Sequence, residues 1–339
     1  MKIAIDLGTT YSVVYVAKRG VVLREPSAIA VNRESGSVIA YGEKARGMLG
    51  RVPRTIEIIR PLRDGVIANF GAAREMLRHF IAVAGHGRWI TRSQMVICVP
   101  HGATPVEMDS LRREALAAGA RQVDLVKEPF AAALGAGLPI HEPRGNLVVD
   151  IGGGTTEATA ISLNNIVHCE SLRMAGNAMD QAVEDYFRAR HHFAIGEITA
   201  EAVKIRYGSV SPVADDVQFE VKGLELRTGR PAALQATRGE IREALEPVAG
   251  SIVEAIRRCV EQLPPELAGD VVADGAVLVG GGALLHGWPE RLQAALGLPV
   301  RIGEDPPMAV SRGLIRILED RERHADLITN SEYQPALAI

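Results

Sequence analysis

Compact apolar runs and longer periodic stretches divide this chain. Ile3 to Ile5, Val96 to Val99, Val123 to Val126, Leu147 to Val149 and Ala276 to Val279 read as buried strands. Ala158 to Ser162 alternates as a further strand, and Leu23 to Val31 and a short run ending at Tyr41 extend the strand set. Phe70 to Ala84 has helical period, with Met76, Leu77, Phe80, Ile81 and Ala84 on one face. Thr104, Pro105 and Glu107 form a helix start with a capping box, and Gly119 ends that helix. Pro129 starts an Ala/Gly-rich helix that puts Glu128 at its mouth. The small surface of Ala131 to Gly137 suits close packing and a pivot between halves. Helices are expected over 178–190 and 199–207, then a charged, strand-rich stretch over 215–236. Thr237 and Glu240 form a second capping box; Pro247 is expected to break or kink that helix, and Ser251 to Leu263 forms an amphipathic helix. A helix to Leu296, a strand Val300 to Ile302 and a helix from Met308 to Leu318 close the pattern. The tail from Arg321, charged and then small and polar, is expected to be poorly ordered.

The strands near positions 5 and 149 end alike. One runs into Asp6-Leu7-Gly8-Thr9-Thr10, the other into Asp150-Ile151-Gly152-Gly153-Gly154-Thr155-Thr156, and an apolar strand follows each. A third glycine turn, Gly280-Gly281-Gly282-Ala283, follows Val279. Glycine after a strand admits positive φ and brings bare N–H groups to a ligand, and such turns cradle phosphates. A carboxylate beside a phosphate calls for a divalent cation between the two. A single turn of this kind is accounted for by a tight hairpin. The repetition points to a duplicated architecture gripping a nucleotide between halves. No G-x-x-x-x-G-K-[ST] occurs, which excludes the P-loop class.

Composition narrows the partners. The 339 residues suffice for two domains or one large one; 47% are hydrophobic but only 4% aromatic, so the cores rest on aliphatics. A net charge of −3 with no Lys/Arg block argues against nucleic acid as partner. Cys98, Cys169 and Cys259 are scattered and read as small buried hydrophobes in a reducing compartment. His191-His192 reads as a solvated pair rather than a metal site. The first strand begins at Lys2, leaving no room for a signal peptide, and no apolar run approaches ~18 residues, so a cytoplasmic protein is expected.

The two Asp–Gly–Thr hairpins, Glu128 at a helix mouth and the late triple glycine resemble the actin/sugar-kinase/DnaK ATPase superfamily. Within it the chain is similar to MreB, the bacterial actin, through Leu23-Arg-Glu-Pro-Ser27, Arg60-Pro-Leu-Arg-Asp64-Gly65, Val99-Pro-His-Gly-Ala-Thr104, Glu128-Pro-Phe-Ala-Ala-Ala133, Val149 to Glu157 and Gly280 to Leu285. The resemblance implies an α/β, actin-like ATPase fold: two lobes of duplicated mixed-sheet domains around a nucleotide cleft. It divides the chain into subdomain IA (1–32, 70–145 and 310–339), IB (33–69), IIA (146–181 and 240–309) and IIB (182–239). ATP and Mg²⁺ are the implied cofactors. Gly8, Thr9 and Thr10 fall in the first phosphate loop, and Gly152, Gly153, Gly154, Thr155 and Thr156 in the second. Asp6 and Asp150 would hold magnesium through waters. Glu128 would polarise the attacking water, assisted by Thr155. Glu201 and Lys204 would clasp adenosine, backed by Gly280, Gly281, Gly282 and Ala283. Taken alone, Glu201 and Lys204 read as a surface ion pair.

The resemblance also implies self-assembly into filaments, cell-shape determination at the cytoplasmic face of the inner membrane and contact with membrane morphogenesis proteins. Trp89 and Ile90, flanked by Arg88 and Arg92, are the expected lipid-facing tip. Tyr11, Lys127, Asn177 and Asn69 depart from the family's usual residues, which leaves organelle or complex positioning open as the task. Gly8-Thr-Thr-Tyr-Ser12 matches the DnaK-type loop, but little chain follows Leu318 to form a peptide-binding domain. A small-molecule kinase would need a base such as Asp64 or Asp180.

Overall fold

The computed structural model describes residues 1–63, 65–85 and 93–329. Two compact units divide the chain: 1–46 with 56–135 and 310–339, and 47–55 with 136–309.

In the first unit, β1 (Lys2–Leu7), β2 (Tyr11–Val16) and β3 (Gly20–Pro26) form an antiparallel meander. β4 (Ile29–Asn32), β5 (Val38–Tyr41) and, after helix α1 (Gly42–Gly47), β6 (Ile56–Ile59) make a small separate sheet. β7 (Leu62–Arg63) and β8 (Val66–Ile67) pair as a short ribbon. Helix α2 (Phe70–Ala84) has its N-cap at Asn69, whose side chain accepts from the Ala72 N–H. β9 (Ser93–Val99), α3 (Pro105–Ala117), β10 (Ala120–Lys127) and α4 (Glu128–Gly135) follow. The Thr104–Glu107 capping box forms as expected. β9 and β10 extend the meander in parallel, giving the order β3-β2-β1-β9-β10. Ile3, Ile5, Leu7, Val14, Met76, Leu77, Phe80, Met95 and Ile97 form the core on one face of this sheet.

The second unit repeats the plan. β11 (Asn146–Ile151), β12 (Thr156–Ser162) and β13 (Asn165–Leu172) form the meander. Helix α5 (Gly176–His191), β14 (Phe193–Ala194), α6 (Glu197–Tyr207), β15 (Gln218–Glu225) and β16 (Arg230–Thr237) come next, and β14, β15 and β16 build a three-stranded sheet. Then come α7 (Arg238–Glu261), α8 (Pro265–Asp274), β17 (Ala276–Val279), α9 (Trp288–Leu296) and β18 (Val300–Ile302). The order β13-β12-β11-β17-β18, with β17 and β18 parallel to β11, is that of the first sheet. A core of Val149, Ile151, Met179, Phe187, Leu245, Ile252, Leu278 and Trp288 lies against it. Helix α10 (Ala309–Glu319) returns to the first unit, where β19 (Ile328–Thr329) pairs antiparallel with β10.

Three expectations change. Pro247 does not break its helix: α7 runs unbroken over Arg238–Glu261, with Leu245, Val248, Ala249 and Ile252 buried around it. The tail is ordered over 321–329, because the Arg321 guanidinium grips the buried Asp124 carboxylate at 2.8 and 3.2 Å and Leu327 is buried; 330–339 lie outside the described residues. His191 is only partly solvated, since it ends α5 and meets Glu240 at 2.7 Å, while His192 takes the left-handed C-cap position and is exposed as expected.

Candidate functional site

The two glycine turns have the same length. Leu7 pairs with Ser12 across the first hairpin and Ile151 with Thr156 across the second, so each turn holds four residues. By position Asp6 matches Asp150, Gly8 matches Gly152, Tyr11 matches Thr155 and Ser12 matches Thr156. The Thr-Thr words of the two motifs are therefore offset by two residues. Gly8 and Gly152 do not sit in the left-handed region; what requires glycine is space. A Cβ on Gly8 would stand 2.6 Å from the Tyr11 carbonyl oxygen, and one on Gly152 would stand 3.2 Å from that of Thr155.

In the first unit the turn is tied from outside. The buried Ser27 donates its hydroxyl to the Gly8 carbonyl at 2.5 Å and its N–H to that of Thr10 at 2.8 Å. Ser12, also buried, bonds to the Ser27 hydroxyl at 2.8 Å. Thr9 Oγ1 accepts from the Gly65 N–H at 3.2 Å, and Tyr11 accepts from Arg46 at 2.5 Å. Asp6, the penultimate residue of β1, lies on the sheet face opposite the core. Ser311 of α10 donates to its Oδ2 at 2.9 Å, and Cys98 donates to its Oδ1 at 3.4 Å. Burial pushes the Asp6 carboxyl above its ordinary range, against those two hydrogen bonds. Glu128 is the first residue of α4. Burial pushes the Cys98 thiol well up, with Asp6 and then Glu128 adding to it, so both carboxylates act on one buried sulfur.

In the second unit the N-terminus of α5 docks on the turn. The Gly176 N–H donates to the Gly152 carbonyl at 3.1 Å and the Asn177 N–H to that of Gly153 at 2.8 Å. These bonds satisfy helix-end donors that have no partner within the helix. Lys204 of α6 reaches back to the same place, meeting the Gly176 carbonyl at 3.0 Å and Asp180 at 2.8 Å. The ion pair of Lys204 is thus with Asp180 rather than with its helix neighbour Glu201. Asp180 is pushed up to about 6, by burial first, with Lys204 opposing and Glu201 and Glu197 adding. The third turn closes over β11: a Cβ on Gly280, which takes φ +83°, would collide with the Asp150 carboxylate and the Ile151 carbonyl. Gly282 packs as closely against Ile151, Ala283 is fully buried, and Gly281 faces open space. Thr156 is 1% exposed and gives its hydroxyl to the Met174 carbonyl at 2.7 Å, so that side chain braces the hairpin.

Asp6, Gly8, Thr9, Thr10 and Glu128 thus gather in the first unit. Asp150, Gly152 to Thr155, Lys204, Glu201 and Gly280 to Ala283 gather in the second. Trp89, Ile90 and Asp64 lie outside the described residues. A cavity of about 690 Å³ lined by Val210, Ser211, Arg242, His286 and Arg291 involves none of these groups. Among the described residues no three His, Cys, Asp or Glu side chains cluster as a protein-built metal cage requires. Single buried carboxylates at turn ends fit magnesium, which keeps most of its waters and takes one or two carboxylates beside substrate phosphates. Sequence reading missed Ser27, Ser311, Cys98 and Gly176 as site residues, and offered Asp180 only as the base of a kinase rather than as the partner of Lys204. Ser27 alone stood in a motif; the rest carry no local signal.

The MreB/Mbl protein family model matches residues 1–326. The chain belongs to the MreB/Mbl family. This MreB/Mbl chain is 43% identical to the cell shape-determining protein MreB of Escherichia coli over 335 residues, 97% of this chain and 96% of that one. It is 40% identical to the cell shape-determining protein Mbl of Bacillus subtilis, covering 95% and 96%. Among solved structures, MreB5 of Spiroplasma citri bound to ADP superposes with a TM-score of 0.91 at 34% identity, over 96% of this chain and 98% of that one. A MamK double helical filament, at 24% identity and a TM-score of 0.79, shares the fold. The MreB/Mbl chain has the actin-like fold and is an actin-like cytoskeletal protein.

Proposed function

We propose that this chain binds ATP with Mg²⁺, hydrolyses it and assembles into filaments that act in cell-shape determination at the cytoplasmic face of the inner membrane. The observation that carries the reading is the fold match at a TM-score of 0.91 to relatives bound to ADP and to AMPPNP, together with two equal four-residue glycine turns. Gly8, Thr9 and Thr10 of the first unit and Gly152, Gly153, Gly154 and Thr155 of the second would each offer backbone N–H groups to phosphate oxygens. Lys204, held on the Gly176 carbonyl, and Glu201 receive the nucleoside, and Gly280 to Ala283 back it. Asp6 and Asp150 would hold magnesium, which neutralises the triphosphate charge. Glu128 accepts the hydrogen bond of the attacking water and orients it, and the Thr155 hydroxyl assists. The four subdomains expected from the sequence remain part of this proposal.

Pelleting tests it. The wild-type chain is expected to sediment with ATP and magnesium and to remain in the supernatant without nucleotide. Asp150→Ala is expected not to sediment at the same concentrations. Nucleotide-independent sedimentation of both overturns the reading.

A further inference from the structure

We infer that Ser311 is a positioning residue for the magnesium held at Asp6, an inference that rests on the reading of Asp6 as a cation-holding carboxylate. A terminal carboxylate torsion is broad and roughly two-fold, so an Asp side chain alone does not define where its lone pairs point. Here each oxygen has its own buried donor: the Ser311 hydroxyl on Oδ2 at 2.9 Å and the Cys98 thiol on Oδ1 at 3.4 Å. A thiol is a weak donor, so the hydroxyl dominates. Each carboxylate oxygen keeps further acceptor capacity for the water shell of a cation. Ser311 is 3% exposed and cannot exchange its partner for bulk water.

The donor is delivered from a firmly seated helix. Gly313 of α10 lies so close to the Ala131 backbone of α4 that a Cβ there has no room. Arg316 one turn on donates to the Leu134 carbonyl at 2.6 Å. The helix that begins with Glu128 therefore carries the helix that aims Ser311. Partners that orient a metal-holding carboxylate typically change metal affinity about 10–100-fold when removed.

The test titrates magnesium against binding of a fluorescent ATP analogue to the full chain, with a parallel titration in EDTA. Ser311→Ala is expected to raise the magnesium concentration for half-maximal binding about tenfold or more. Binding in EDTA is expected to stay at the wild-type level. Ser311→Cys, which keeps a weak donor, is expected to fall between the two and carries the test should the alanine variant not fold. A magnesium midpoint within about twofold of wild type in these variants, with or without a loss of thermal stability, overturns the inference. Asp6→Ala separates the two readings. If it removes the magnesium dependence while Ser311→Ala leaves it intact, the positioning role alone falls. If Asp6→Ala itself keeps the wild-type midpoint, the cation role of Asp6 falls and the inference with it.

Discussion

Asp180 and Glu128 are two carboxylates with different surroundings. Asp180 is buried in α5 beside Lys204, and its carboxyl is pushed up to about 6 from an ordinary 3.8. Between those values the folded chain holds a proton that the unfolded chain has released. Its contribution to stability is therefore present below about pH 4 and lost as pH rises through about 6. Denaturant melts of the nucleotide-free protein at pH 4.5 and 7 are expected to show Asp180→Asn flattening this slope, by on the order of 1–3 kcal/mol. An identical slope in both proteins would assign the titration elsewhere. Glu128 instead starts α4 at the end of β10, half-buried and near Cys98. Glu128→Ala is expected to bind ATP and polymerise while hydrolysing it ~10²–10⁴-fold more slowly, giving longer-lived filaments. Phosphate release measured under polymerising conditions checks this; wild-type turnover would move the role to another residue.

Helix α7 sets a local rule against tertiary packing. A proline inside a helix removes one hydrogen bond and costs about 3 kcal/mol. Burying an Ile, Leu or Val side chain gives about 1.5–3 kcal/mol, and α7 buries Ile241, Leu245, Val248, Ile252, Val253 and Ile256. The packing exceeds the proline cost several times over, and the helix continues through Pro247, itself exposed. Pro247→Ala is then expected to stabilise the protein by about 1–3 kcal/mol in urea unfolding, since it restores a donor and removes a clash. No gain would mean that the surrounding carbonyls are already satisfied. Helix α8 and strand β13 have no counterpart among the elements expected from the sequence. β13 is only half-buried and alternates weakly, and α8 buries Val271 alone.

Both units carry the same strand order, with a carboxylate at the end of the first strand and a four-residue glycine turn after it. In the function proposed above, membrane attachment would be a property of the assembled filament. Among the described residues no helix is long and apolar enough to cross a bilayer. The sequence Arg88-Trp89-Ile90-Thr91-Arg92 lies outside the described residues; as the expected lipid-facing tip it would be worth little singly and much more when repeated along a filament. Polymer is expected to float with anionic vesicles, and the Trp89→Ser, Ile90→Ser double variant is expected not to. Equal flotation of the two, or of neither, would exclude this tip as the anchor.

Much of this was legible in the chain itself. Asp6 and Asp150, the glycine turns and the Thr104 and Thr237 capping boxes are local patterns, because turn geometry and helix ends are decided within a few residues. The spacing between the two hairpins pointed to a duplicated architecture, and the resemblance to MreB implied the actin-like fold. What sequence alone did not reveal depends on partners far along the chain. Ser311 reaches Asp6 across 305 positions, and Arg321 holds Asp124 across 197. The two-residue offset of the Thr-Thr words appears only once strand register pairs Leu7 with Ser12 and Ile151 with Thr156. Lys204 chose Asp180 over Glu201 because α5 and α6 pack together at the second turn, and only the folded core brings those helices into contact.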